Sequence, residues 1–365
     1  MFPMTERMFC FTLLFLVALS GCGASWIDEC ADVGEIHAIC GVQNPEDLAV
    51  LPDRKHVLIS QFGMLDGSLG GGFALYDSEN DRITQVAPVY EASPQIWGSP
   101  DCDSPPGEAF SPHGIELSER PDGRFQILAV NHGKRESVEW FELLNPYQPG
   151  KAEIRWRGCA LAPERAVFNA IASLPKSGGF LVTQLWEADN PGSVLTATIE
   201  SLLAKFGFAD GAVQRWDGQS FSIVPGTENS MPNGIVVSDD ESFFYVNMDL
   251  TSRVEKYSTS GGEVLAFAEV GGGLDNTRWS SDRSKLLVAT IRAPMYEYMF
   301  CLGKVQGACA AESAIVQVDP LTMQVRELFE HRGPPMGAFT AAVELDDSLI
   351  IGSFAGNRLI RVPML

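Results

Sequence analysis

Six stretches of the chain share one pattern, and at the same point in each stands a side chain able to hold a cation or move a proton. They are Glu46 in Pro45-Glu46-Asp47-Leu48, His113 in Pro112-His113-Gly114-Ile115, Asn169 in Phe168-Asn169-Ala170-Ile171, Asn233 in Pro232-Asn233-Gly234-Ile235, Asp275 with Asn276 in Leu274-Asp275-Asn276-Thr277, and Thr340 in Phe339-Thr340-Ala341. Glu46, Asn169, Asn233, Asp275 and Asn276 offer only oxygen donors, two of them carboxylates. Gathered away from bulk water they would carry a desolvation cost that a cation relieves. Hard oxygen donors in that number point to Ca2+, with Mg2+ or Mn2+ behind it, and away from zinc or copper. The other reading is a polar, water-filled channel with no metal. His113 adds an imidazole, the side chain suited to proton transfer near neutral pH.

Side chains so far apart in sequence can meet only if the elements carrying them converge. Each stretch runs into a short apolar segment, turns at Pro, Asp, Gly or Ser, and re-emerges as a second one, as in His56-Val57-Leu58-Ile59-Ser60, Phe125-Gln126-Ile127-Leu128-Ala129-Val130 and Phe243-Phe244-Tyr245-Val246-Asn247. A further strand follows, such as Phe73-Ala74-Leu75-Tyr76 or Ile315-Val316-Gln317-Val318. Units of four short strands repeated six times, with 35 Gly and 22 Pro to make the turns, predict an all-β, six-bladed β-propeller with a central metal-binding channel. The innermost strand of each blade lines the channel, so the six repeat starts converge there. Their uneven spacing makes the loops differ from blade to blade, which is where specificity resides. Val194, Leu195, Ile199, Leu202, Leu203 and Phe206 fall at helical spacing and predict an inserted amphipathic helix, either covering a sheet edge or facing substrate as a lid. The glycine runs Gly70–Gly72 and Gly271–Gly273 read as loop turns rather than phosphate cradles.

The N-terminus carries Arg7, then an apolar run from Phe9 to Leu19, then Ser20-Gly21-Cys22. That run is too short for a stop-transfer helix and fits a signal peptide over 1–21. Leu19-Ser20-Gly21-Cys22 resembles a bacterial lipobox, with Cys22 as the lipidated first residue of the mature protein, and Gly23-Ala24 after it resembles sorting to the outer membrane. Residues 22–40 read as a tether to a propeller over 41–365. Export places Cys30, Cys40, Cys102, Cys159, Cys301 and Cys309 in an oxidising compartment, and sequence proximity favours Cys30–Cys40 and Cys301–Cys309, leaving Cys102 with Cys159. With 26 Lys and Arg against 47 Asp and Glu, the net charge of −21 excludes nucleic acid as a partner and leaves lipid as the only membrane attachment.

Phe110-Ser111-Pro112-His113-Gly114-Ile115, Val130-Asn131-His132 and Ser137-Val138-Glu139-Trp140-Phe141, together with Glu46-Asp47-Leu48, Asn233-Gly234-Ile235 and Asp275-Asn276, resemble the serum paraoxonase/arylesterase family, within the wider gluconolactonase and strictosidine-synthase-like propellers. The resemblance implies that Glu46, Asn169, Asn233, Asp275 and Asn276 hold a catalytic Ca2+, that His113 and His132 form a dyad assisting a hydrolytic water, and that Thr340 lines the substrate pocket. It also implies a second, structural Ca2+, for which Asp47 and the Ile115 carbonyl are present while Ala170 stands where the family has an aspartate. Residues 64–72 do not match the family's substrate loop.

The function so implied is Ca2+-dependent hydrolysis of a small carboxylic ester or lactone, Ca2+ stabilising the oxyanion while His113, oriented by His132, takes a proton from water. No G-x-S-x-G, H-E-x-x-H, P-loop or dinucleotide motif offers another route. The alternatives are a non-catalytic, calcium-stabilised binding scaffold and a hydrolase of sugar lactones or phosphotriesters using the same metal.

Overall fold

The strands form six four-stranded antiparallel sheets, each built on consecutive short segments separated by turn residues. A computed structural model describes residues 26–63, 69–90, 96–188, 199–200, 202–298 and 301–364. The signal peptide, Cys22, Val194 and Leu195 lie outside the described residues. Blade 1 comprises Pro45–Val50, His56–Gln61, Gly72–Asp77 and Arg82–Val86, and blade 2 Pro112–Glu119, Phe125–Asn131, Ser137–Leu144 and Glu153–Leu161. Blade 3 runs through Ala166–Ser173, Phe180–Glu187, Ala212–Trp216 and Phe221–Ile223, and blade 4 through Pro232–Val237, Phe243–Met248, Arg253–Ser258 and Ala266–Glu269. Blade 5 has Gly273–Trp279, Leu286–Ile291, Ser313–Val318 and Val325–His331. Blade 6 has Phe339–Leu345, Ser348–Ser353 and Arg358–Pro363 from the C-terminus, and its outermost strand, His37–Cys40, comes from the N-terminus. The protein is a six-bladed β-propeller.

That last strand corrects the expected tether. His37 pairs with Arg361 and Cys40 with Arg358, Trp26–Ile27 pairs with Ala308–Cys309, and Cys30 is disulfide-bonded to Cys40. Arg358, fully buried, donates to the carbonyls of Ile27, Asp28 and Glu29. Residues 26–40 therefore belong to the folded ring. Strand Arg358–Pro363 would otherwise present a free edge, and pairing it with the chain's beginning ties the two ends together without a disulfide between them.

The core lies between blades rather than within one. Leu58 and Phe73 of blade 1 pack with Ile115, Ile127 and Phe141 of blade 2, and Leu128, Val130 and Trp140 of blade 2 pack with Phe168, Phe180 and Trp216 of blade 3. Phe180 stacks on Trp216 at 5.4 Å between ring centroids while Trp140 meets Trp216 at 5.0 Å. Each such side chain contributes about 1.5–3 kcal/mol by burial, so the interfaces fix the angle at which every inner strand faces the channel. The disulfides Cys102–Cys159 and Cys301–Cys309 also form as expected. Among the described residues no helix is long and apolar enough to cross a membrane.

Residues 199–200 and 202–203 are helical and lead into a π-helical turn, Ala204–Phe208. Among the described residues of this segment Leu202 and Phe206 are 50% and 73% exposed, and Ala204 packs inward, against Val167, Leu185 and Met231.

Candidate functional site

In every blade the pairing register of the innermost strand breaks at the residue that starts the repeat. The shifts fall between Pro45 and Asp47, Pro112 and Ile115, Phe168 and Ile171, Pro232 and Ile235, Leu274 and Thr277, and Phe339 and Ala341. A bulge re-aims the side chain it carries and frees the local backbone from the ladder. Six bulges at one level thus turn Glu46, His113, Asn169, Asn233, Asp275, Asn276 and Thr340 out of their sheets. Second-strand side chains bond the freed carbonyls: Ser60 donates to His113 O at 2.6 Å, and Asn247 donates to Asp275 O. Gly114 and Gly234 allow neighbouring inner strands to close in, since a Cβ at Gly114 would lie 2.4 Å from Asn169 O and one at Gly234 2.5 Å from Thr277 N.

The expected oxygen donors are brought together. Asn276 Nδ2 donates to Glu46 Oε1 at 2.7 Å, His113 Nε2 lies 3.4 Å from the same oxygen, and Asn169 Nδ2 is 3.5 Å from His113 Nε2. Asp275 is held with Asn233, whose side-chain hydrogen bond favours its ionised form. The amides leave their carbonyl oxygens over: Asn169 Oδ1, Asn233 Oδ1 and Asn276 Oδ1, with Glu46 Oε2, are buried and have no hydrogen-bond partner among the described residues. A buried polar atom without a partner costs about 1–3 kcal/mol, and four in one cluster is the pattern a cation relieves. Asp275 carries the same signature, its pKa driven well above the usual carboxylate range by burial and then by Glu46, Asp249 and Asp47. Among the described residues no three His, Cys, Asp or Glu side chains form a metal-holding group. The set here depends on asparagine oxygens, which suits Ca2+ and disfavours soft metals.

The two histidines form a relay that ends on Glu136. His113 Nδ1 is 2.7 Å from His132 Nε2, and His132 Nδ1 is 2.8 Å from Glu136 Oε2. Because a carboxylate only accepts, His132 donates from Nδ1 to Glu136 and its Nε2 accepts from His113 Nδ1, which leaves His113 Nε2 facing the oxygen cluster. Glu136 is itself held by the Phe168 backbone N–H at 2.7 Å, and Phe62 packs its ring 4.8 Å from that of His113. Burial lowers the His113 pKa, but Glu46 foremost, then Glu136 and Asp47, outweigh it and the net displacement is upward. Glu136 is a site residue the sequence reading missed, since it belongs to no repeat position and four residues after His132 carries no meaning in a loop.

Thr340, expected in the substrate pocket, is fully buried and its hydroxyl donates to Glu46 O at 2.7 Å, so it holds the strand that carries Glu46. Asp47 and the Ile115 carbonyl do not stand ready for a second ion, because the guanidinium of Arg278 donates to both. A cavity of about 550 Å3 lies elsewhere, lined by residues such as Leu51, Glu116, Ser173, Val237, Arg278 and Glu344. These follow the site residues along their inner strands, so the cavity occupies the other end of the channel and shares no residue with the oxygen cluster.

No family model matches the chain, and no curated protein matches it in sequence. Solved structures resemble it in fold: a luciferin-regenerating enzyme at 12% identity covers 94% of this chain and 96% of its own with a TM-score of 0.50. A protein of unknown function from Bacteroides thetaiotaomicron VPI-5482, 10% identical, covers 93% of this chain and 75% of its own with a TM-score of 0.52. A gluconolactonase from Xanthomonas campestris is 14% identical over 94% of this chain and 96% of its own, with a TM-score of 0.48. At these identities the likeness concerns the propeller fold alone.

Proposed function

We propose that the protein is a calcium-dependent hydrolase of small carboxylic esters or lactones, exported through its signal peptide and held by lipid on Cys22 at a bacterial outer membrane. The observation that carries this reading is the pairing of four unpartnered buried oxygens, on Glu46, Asn169, Asn233 and Asn276, with the Nε2 of His113, which the hydrogen bonds through His132 to Glu136 aim at them. Glu46, Asn169, Asn233, Asp275 and Asn276 would hold the ion. When bound, Ca2+ supplies Lewis-acid stabilisation of the negative charge that grows on a carbonyl oxygen during hydrolysis.

The protein's own residues supply the proton chemistry. His113 Nε2 accepts a proton from the attacking water and later returns it to the leaving oxygen. His132 receives the His113 Nδ1–H and prevents the ring from turning, and Glu136 stabilises the positive charge that develops along the pair. No nucleophilic serine is required. The test is a panel of aryl esters, aliphatic lactones, sugar lactones and phosphotriesters assayed with Ca2+ and with chelator. Hydrolysis of esters or lactones that disappears on chelation supports the reading, and inactivity on the whole panel by calcium-loaded protein would favour a binding scaffold.

A further inference from the structure

Arg278 stands on the inner strand of blade 5, two residues beyond Asn276, and reaches into blades 1 and 2. Its Nε donates to Leu48 O at 2.9 Å, and its Nη2 donates to both Asp47 Oδ2 and Ile115 O. Its Nη1 lies 3.7 Å from Glu116 Oε2. The acceptor set is one deeply buried carboxylate, two backbone carbonyls and a more distant carboxylate, which are the hard oxygens a divalent ion would take. Among the described residues the other hydrogen bonds to Asp47 come from the backbone N–H groups of Leu48 and Ile115, each at 2.8 Å.

We infer that Arg278 is a built-in substitute for a second metal ion, so that the channel binds at most one ion, and that it positions the strand bearing Glu46. Position 170, where the resembled family has an aspartate, is alanine, and the cation that meets Asp47 is the guanidinium of Arg278. Ala170 is complete without an ion, its N–H donating to Thr183 Oγ1 at 2.9 Å and its carbonyl accepting from the same hydroxyl at 3.3 Å. A guanidinium cannot lose its proton in a protein and cannot dissociate, so this cation resists chelators that would strip an ion. Its fork bonds blades 1 and 2 at once, and it also lines the cavity at the far end of the inner strands. Asp47 adjoins Glu46, so the contact fixes the backbone beneath that side chain. The inference goes beyond the proposed activity and does not require it.

Two measurements on the mature protein test this. Metal content after equilibration with excess Ca2+ should show no more than one ion per chain, and two firmly bound ions would overturn the inference. In metal-free protein, Arg278→Met leaves Asp47 buried without its counter-charge and should lower Tm by roughly 5–10 °C, with Asp47→Asn in the same chain recovering most of the loss. Should Arg278→Met alone fail to fold, recovery of folded protein by the double variant gives the same support. An Arg278→Met protein that melts like wild type without metal would refute it. Zero bound ions in wild type, with the Arg278→Met loss present, would remove the calcium reading above and leave Arg278 as the resident cation.

Discussion

His113 and His132 face each other through Nδ1 and Nε2 at 2.7 Å, with their ring planes inclined at 65°. The contact joins the start of the blade 2 inner strand to the end of the strand that follows it, so the dyad is a product of one β-hairpin. Replacing His113 with Gln should preserve the fold and any bound ion, because imidazole is not among the oxygen donors. Hydrolysis of a lactone and of an aryl ester should fall by roughly 10²–10⁴-fold, the range for loss of a general base. Initial rates on both substrates check this, and wild-type rates with calcium still bound would exclude the dyad from the chemistry.

Glu136 gives one oxygen to His132 Nδ1 and the other to the Phe168 N–H. A Gln at 136 has a single accepting oxygen and must abandon one of these partners. Glu136→Gln should lower kcat by roughly 10-fold, about the effect of one charge-assisted hydrogen bond, while KM stays near its wild-type value. An unchanged kcat and pH–rate profile would show that the relay ends at His132.

His37 pins the N-terminal strand, with Nδ1 2.9 Å from Asp32 and Nε2 2.7 Å from Asp81. Partial burial lowers its pKa, but the hydrogen bonds and charges of the two aspartates raise it more, to a net position above the ordinary 6.5. A raised folded-state pKa means the stabilisation is full below pH 6.5 and is lost as pH rises through the folded value. The Tm difference between wild type and His37→Gln should therefore be largest near pH 6 and shrink above neutrality. A difference that grows with pH would contradict this contact.

Protein purified after export should carry a diacylglyceryl or triacyl group on Cys22 and no titratable thiols, since the other six mature cysteines are paired as Cys30–Cys40, Cys102–Cys159 and Cys301–Cys309. Intact mass and thiol titration measure both. Unlipidated protein with free thiols would overturn the assignment of Cys22 and of the compartment.

The legible part of this protein is what repeats. Pro-His-Gly, Pro-Asn-Gly and Asp-Asn stand at equivalent inner-strand starts because the channel demands a polar side chain on a bulge at the same level in blades 1 to 5. What occurs once leaves no such trace. The closing strand His37–Cys40 has no hairpin partner nearby in sequence, so it read as tether. Arg278 lies in the repeat stretch Asp275-Asn276-Thr277-Arg278, but nothing local indicates that its side chain crosses to Asp47 and Ile115. Glu136 depends on a loop fold that brings it under His132, and Thr340 shares the repeat position while its short side chain turns to the Glu46 carbonyl instead of the channel.

The claim on which the rest depends is that Glu46, Asn169, Asn233, Asp275 and Asn276 hold Ca2+. The most direct measurement is thermal melting of metal-analysed protein with and without chelator. A ligand that binds only the native state stabilises it by RT ln(1 + [L]/Kd). Purified protein should contain one calcium per chain, chelation should lower Tm and abolish hydrolysis together, and restoring Ca2+ should recover both. Protein that contains no calcium and melts identically in EDTA would contradict the account.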